Sequence, residues 1–217
     1  MPRSSSRPLL LGHRGSRALK AIPENTFPSF DRALADGCDG FEFDVRLTGD
    51  RHAVICHDPK VKKLEIARTD INRLGALPQL HEVLARFSGA FLDIELKVPG
   101  IEQALLEGIR NHKPRRYVVS SFLPEVLQSM YQMDQTIPLG LICETQAQLQ
   151  LWTDLPIQYV IPHRRLIRQK LISAVHDSGK KALAWTINGP KEMRRLAESG
   201  IDGIISDDTE LLVRTLA

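Results

Sequence analysis

Cysteine is scarce in this chain. The three present, Cys38, Cys56 and Cys143, are odd in number and fall in no paired motif. That excludes a disulfide framework and points to a reducing compartment. Long apolar runs are missing as well. No stretch approaches the roughly 20 residues of a membrane helix, and Leu9-Leu10-Leu11 is too short for the apolar centre of a signal peptide. Nor does one sign of charge dominate. The 29 Lys plus Arg against 26 Asp plus Glu leave +3, too mild to argue for nucleic acid yet compatible with an anionic substrate. No GxGxxG or P-loop sequence occurs, which weakens a nucleotide-binding reading. No low-complexity segment or linker breaks the 217 residues. Residues 1–8 therefore read as a polar tail and residues 9–217 as a single domain of a cytoplasmic protein without membrane insertion.

What the chain does contain is a regular alternation. Leu9-Leu10-Leu11 predicts a strand, and Phe27, Phe30, Ala33 and Leu34 a helix stopped at Gly37. Residues 41–58 predict a β-hairpin with a turn at Thr48-Gly49-Asp50-Arg51. Folding it between Asp50 and Arg51 sets Asp44 opposite His57. Residues 60–77 read as a connection with at most one short helical turn, before a helix entered at Pro78. Strands follow at Phe91–Lys97, Tyr117–Phe122, Leu139–Ile142, Tyr159–Pro162, Ala182–Ile187 and Gly203–Ser206. Helices follow them at Ile101–Ile109, Pro124–Met133, Thr145–Trp152, Leu166–Asp177, Pro190–Glu198 and Asp208–Leu216. Without the return arm of the hairpin these make eight strand–helix units. They predict a parallel (β/α)8 TIM barrel with a β-hairpin arm after the second strand.

In such a barrel the C-terminal strand ends carry the active site, and here those ends are polar. The first strand delivers His13 and Arg14, the second Glu42 and Asp44, the returning arm His57, the third Glu95 and Lys97, and the seventh Trp185 and Asn188. Three carboxylates, Glu42, Asp44 and Glu95, make an all-oxygen site suited to a divalent cation, Mg²⁺ or Ca²⁺. Two histidines beside it suit a general acid and a general base. Arg14 and Lys97 suit anionic oxygens. Together they suit a small phosphodiester substrate. Trp185 reads as a substrate wall, with packing in the core as the alternative. Asp58 reads as a supporting residue, and Asp93 as a buried polar contact inside the barrel. His52, His81, His112, His163 and His176 read as structural or solvated.

Several motifs carry a resemblance to a known family. His13-Arg14-Gly15, Pro23-Glu24-Asn25-Thr26, Glu42-x-Asp44, His57-Asp58 and Glu95-x-Lys97 resemble the glycerophosphodiester phosphodiesterases. Ser121-Phe122, Trp185-Thr186-Ile187-Asn188 and Asp202-Gly203-Ile204-Ile205-Ser206-Asp207 are similar to that family too, so the likeness runs from about Leu9 to Leu212. It implies hydrolysis of a glycerophosphodiester to sn-glycerol 3-phosphate and an alcohol, with a divalent cation. It implies His13 and His57 as the acid–base pair, Glu42, Asp44 and Glu95 as metal ligands, and Arg14 and Lys97 on phosphate. It sets Glu24 near the metal or in support of His13. The chain departs from the family in the short segment from Pro59 to Asp93. A lysophospholipase D, a phospholipid lyase and a catalytically silent anion-binding barrel stay open as alternatives. So do water and the glycerol hydroxyl as the attacking group. The sequence carries no signal of oligomeric state.

Overall fold

Eight parallel strands close into a barrel in the computed structural model, which describes residues 7–217. Only Arg7 and Pro8 of the predicted polar tail fall among these; residues 1–6 lie outside the described residues. The barrel strands are β1 (Leu9–Gly12), β2 (Gly40–Leu47), β6 (Phe91–Leu96), β7 (Arg116–Ser121), β8 (Leu139–Cys143), β9 (Tyr159–Pro162), β10 (Lys181–Ala184) and β11 (Gly203–Ser206). Each pairs in parallel with its neighbours, and β1 closes the ring by pairing with both β11 and β2. The helices are α1 (Phe27–Ala35), α2 (Ile71–Leu74), α3 (Leu80–Arg86), α4 (Glu102–His112) and α5 (Pro124–Met133), then α6 (Gln146–Gln150), α7 (Gln169–Asp177), α8 (Pro190–Glu198) and α9 (Thr209–Leu216). Short strand β3 (Ala53–Ile55) is the return arm of the hairpin. It pairs antiparallel with the C-terminal half of β2.

The period-two pattern of the strands decides what faces where. Leu11, Phe91, Val118, Ile142, Tyr159, Ile161, Leu183 and Ile205 meet inside the barrel. The alternate residues, among them Phe41, Phe43, Leu92, Ile94 and Val160, pack outward against the helices. Phe30 of α1 stacks on Phe41 at 4.2 Å between ring centroids, and the edge of Phe87 closes on both rings. Phe30 is fully buried. Phe30→Ala is expected to destabilise the fold by about 3–5 kcal/mol, read as a shift of the urea midpoint at constant slope.

Three details differ from the sequence expectation. The hairpin pairs Val45 with Ile55 and Leu47 with Ala53, so its axis passes through Asp50. Asp44 therefore lies opposite Cys56, whose N–H donates to the Asp44 carbonyl at 3.0 Å, and not opposite His57. The reason is Arg51, which takes a left-handed φ of 67° and makes the loop three residues long. Residues 60–77 hold more structure than predicted. They form a small hairpin, β4 (Lys60–Val61) with β5 (Leu64–Glu65), a 3-10 turn at Ile66–Arg68, and α2. Val54, Ile66 and Leu74 bury one another beneath it. The helix expected from Leu166 starts only at Gln169, because Arg164–Leu166 tightens into a 3-10 turn of its own.

Candidate active site

At the C-terminal mouth of the barrel lies a cavity of about 420 Å³. One wall is charged and the other is built from Phe122, Ile142, Ile161, Trp185 and Ile205. His13, Arg14, Glu42, His57, Glu95, Lys97 and Trp185 all line it, so the structure gathers seven of the predicted residues around one space.

His13 and Arg14 stand on the turn after β1. The chain reverses there through Arg14 (φ 52°) and Gly15 (φ 83°). A side chain at Gly15 would overlap Ser29 of α1, so the tight turn requires glycine. The turn aims the Arg14 N–H at Glu42 Oε2, 2.9 Å away. The Arg14 guanidinium reaches Asp44 Oδ2 at 3.2 Å and donates to Glu24 Oε1 at 2.7 Å. Asn25, also at positive φ (58°), donates through Nδ2 to Asp44 Oδ2 at 2.8 Å.

Glu42, Asp44 and Glu95 share the inward face of neighbouring strands, with Asp44 paired in register with Glu95. Each offers an oxygen, and these oxygens lie within 4.8 Å of one another. All three side chains are buried. Lys97 Nζ sits between two of them, 2.7 Å from Glu95 Oε1 and 3.3 Å from Asp44 Oδ1. Burial, reinforced by Asp44 and Glu95, pushes the Glu42 carboxyl well above the usual range. Burial and Asp44 push Glu95 up to about 8 against the pull of Lys97. Asp44 is also buried, but Lys97, Arg14 and the Asn25 amide outweigh that and hold it below the usual range. Three buried carboxylates share two cations, and the unbalanced negative charge favours the neutral forms of Glu42 and Glu95. Glu42 Oε1 has no hydrogen-bond partner at all. That orphaned oxygen and the all-oxygen donor set fit a divalent cation.

Both histidines are anchored on one side. His13 Nδ1 lies 2.7 Å from Asp207 Oδ1, and His57 Nδ1 lies 2.8 Å from Asp58 Oδ1. A carboxylate oxygen accepts, so each Nδ1 donates and each Nε2 is left for chemistry. His13 Nε2 faces Glu42 Oε2 at 3.9 Å. His57 reaches the cavity because the chain leaves the ladder after Cys56; Arg46 Nε holds its carbonyl at 2.8 Å.

Placed on this geometry, the match to known proteins is direct. Residues 13–106 and 66–211 match the model of the glycerophosphoryl diester phosphodiesterase family. The chain belongs to that family. It is an enzyme, a phosphoric diester hydrolase of the family's class. A glycerophosphodiester phosphodiesterase from Caldanaerobacter subterraneus subsp. tengcongensis is 29% identical over 235 residues, covering 94% of this chain and 96% of the relative. An Oleispira antarctica phosphodiesterase solved with the product sn-glycerol-3-phosphate is 26% identical with a TM-score of 0.85, covering 96% of each chain. The Thermotoga maritima glycerophosphodiester phosphodiesterase shares the fold at a TM-score of 0.84 and 24% identity, over 96% of this chain and 98% of that one.

The remaining predicted residues take definite places around this family's site. Glu24 accepts from Arg14 and from Arg17 Nε at 2.5 Å. It reaches His13 through Arg17 and Asp207. Trp185 packs edge-on against Phe122 and His163 and donates through Nε1 to the Ile161 carbonyl at 3.0 Å. Asp93 is buried, accepts from Ser120 at 2.5 Å and is pushed up to about 7 by burial.

Three residues escaped the sequence reading of the site. Asn25 holds Asp44, Phe122 forms the wall with Trp185, and Asp207 anchors His13. Asp207 had a signal. It follows Ile205 at the inward period of β11, one residue past the strand. Asn188 then holds Asp207, donating through Nδ2 at 2.6 Å and accepting the Asp207 N–H at 2.9 Å.

Burial works against the charge of Asp207, but the bond from His13 outweighs it and holds the carboxyl at about 2. A depressed carboxyl contributes stability above its unfolded value, lost as pH falls through the folded one. Wild type is therefore expected to exceed Asp207→Asn by about 1 kcal/mol at pH 7 after solvent screening. The gap closes between pH 4 and 2, read as the difference in Tm at each pH.

Proposed function

We propose that the chain hydrolyses glycerophosphodiesters to sn-glycerol 3-phosphate and an alcohol, with a divalent cation, Mg²⁺ or Ca²⁺, and with His13 and His57 moving the protons. One observation carries the reading: two histidines, each fixed through Nδ1 by a carboxylate, present Nε2 to the cavity that holds the three-carboxylate cluster. Glu42, Asp44 and Glu95 would hold the cation. When bound, it supplies Lewis-acid charge for the phosphoryl oxygens.

The chain's own groups do the rest. Arg14 and Lys97 bind the anionic oxygens, and Glu24 keeps the Arg14 guanidinium aimed. His13 Nε2 takes the proton of the attacking oxygen, and His57 Nε2 returns one to the leaving alkoxide. Trp185 and Phe122 exclude water along the apolar wall and contact one arm of the diester. We read residues 9–217 as the single domain that carries this activity, in the cytoplasm, on a small soluble substrate. Among the described residues, no helix is long and apolar enough to cross a membrane.

The test is release of sn-glycerol 3-phosphate from glycerophosphocholine, glycerophosphoethanolamine and a lysophospholipid, with Mg²⁺, Ca²⁺ or EDTA. Turnover with either cation and none with EDTA is expected. Turnover that survives EDTA removes the cation from the scheme, and no turnover on any diester removes the hydrolysis.

A further inference from the structure

The opposite end of the barrel carries a second cavity, about 820 Å³ in volume, lined by none of the residues discussed above as catalytic. Its size lies within the range of ligand pockets. We propose that this cavity binds an organic phosphate: a phosphate group on Arg115, Arg116 and Lys181, with a ring or apolar body over Phe91 and Tyr159. Such binding does not depend on the hydrolytic activity at the other mouth.

Phase along the strands places the cations. Val118 and Leu183 face the barrel interior. Arg116 and Lys181 lie two residues before them, at the starts of β7 and β10, and so share the inward period. They stand at the barrel's N-terminal mouth, in the lining of the cavity. Leu9, Phe91 and Tyr159, the first residues of their strands, supply the floor. Lys181 Nζ lies 5.5 Å from the centre of the Tyr159 ring, which holds the ammonium over that floor.

The ion pairs single out three of the four cations. Arg7 is engaged by Asp39, at 2.6 and 3.2 Å. The other carboxylate of the cavity, Asp202, accepts from His176 at 2.8 Å and from the Ala182 N–H at 2.8 Å. Arg115, Arg116 and Lys181 have no carboxylate partner among the described residues. Two guanidinium groups and an ammonium on one concavity suit a phosphate dianion, because guanidinium presents paired donors and ammonium a point charge. The apolar floor selects an anion that carries a body over a bare one.

The experiment is calorimetric titration with phenyl phosphate and with inorganic phosphate, on wild type and on Arg116→Gln/Lys181→Gln. Phenyl phosphate is expected to bind wild type at least tenfold tighter than the double variant and tighter than inorganic phosphate. Equal affinity for the two proteins, or no saturable binding to wild type, would overturn the proposal. Backbone amide shifts in ¹⁵N-labelled wild type locate the ligand without a substitution. Phenyl phosphate should move Phe91, Tyr159 and Lys181. Shifts confined to the His13 and Glu42 end would place the ligand in the active site and sink the second one.

Discussion

His13→Ala and His57→Ala are each expected to lower kcat for glycerophosphodiester hydrolysis by about 10²–10⁴, the usual contribution of one positioned acid or base, with KM little changed. The reason is geometric. Each ring is held by a carboxylate at 2.7 or 2.8 Å, so each arrives at the cavity with Nε2 already oriented. Neither ring closes an apolar cluster; His13 gives up its bond to Asp207, and His57, half-buried at the mouth, its bond to Asp58. The Tm of His57→Ala should therefore stay near wild type and that of His13→Ala fall by no more than about 2–4 °C, while turnover collapses in both. The two substitutions should also differ. An alcohol with a low pKa needs little proton return, so a p-nitrophenyl leaving group should rescue His57→Ala and leave His13→Ala slow. Equal rescue of both would reverse or dissolve the assignment of His13 as base, and full activity in either variant would falsify the two-histidine scheme.

Glu42→Gln is expected to abolish turnover and at the same time to stabilise the cation-free protein. Three carboxylates meet in a buried space beside two cations, and burial with Asp44 and Glu95 as like charges drives Glu42 toward its neutral form. Glutamine is neutral at every pH and carries none of the desolvation penalty of the buried carboxyl, a gain of roughly 1–3 kcal/mol. At this chain length that is roughly 2–4 °C of Tm per kcal/mol. The glutamine can keep the bond from the Arg14 N–H through its own carbonyl oxygen, so no contact is lost. Added Mg²⁺ or Ca²⁺ reverses the order. Wild type should gain about 2.7 kcal/mol at a hundredfold excess over Kd, and the variant should gain little. Melting curves of both proteins with EDTA and with each cation decide the matter. A variant that melts lower than wild type in EDTA would show that Glu42 is a structural anchor and not a liability held for a cation.

Much of this molecule is legible without coordinates, and the places where reading fails have physical causes. The barrel is legible because its period-two strands and period-3.6 helices alternate in short segments closed by glycine and proline. The carboxylate cluster is legible because Glu42, Asp44 and Glu95 stand on strands whose inward period is unambiguous. The hairpin register is not. Its parity turns on whether Arg51 adopts a left-handed φ, which costs an arginine more than a glycine and leaves no mark in composition. The small hairpin at residues 60–65 is missed because two-residue strands carry no period to detect. Asn25 and Asp207 are missed as site residues because their roles are contacts across 19 and 194 positions of chain.

The sequence by itself determined the order of strands and helices, the residue types at the strand ends and the family to which they belong, since these follow from local periodicity and from motifs read in order. Tertiary structure decided what those residues do to one another. Closing the barrel brought β11 beside β1, and with it Asp207 onto His13. It buried Glu42 among like charges and left its Oε1 without a partner. It gathered Arg115, Arg116 and Lys181 at the far mouth. Each is a matter of distance and desolvation between groups remote in the chain, and those quantities exist only once the barrel has closed.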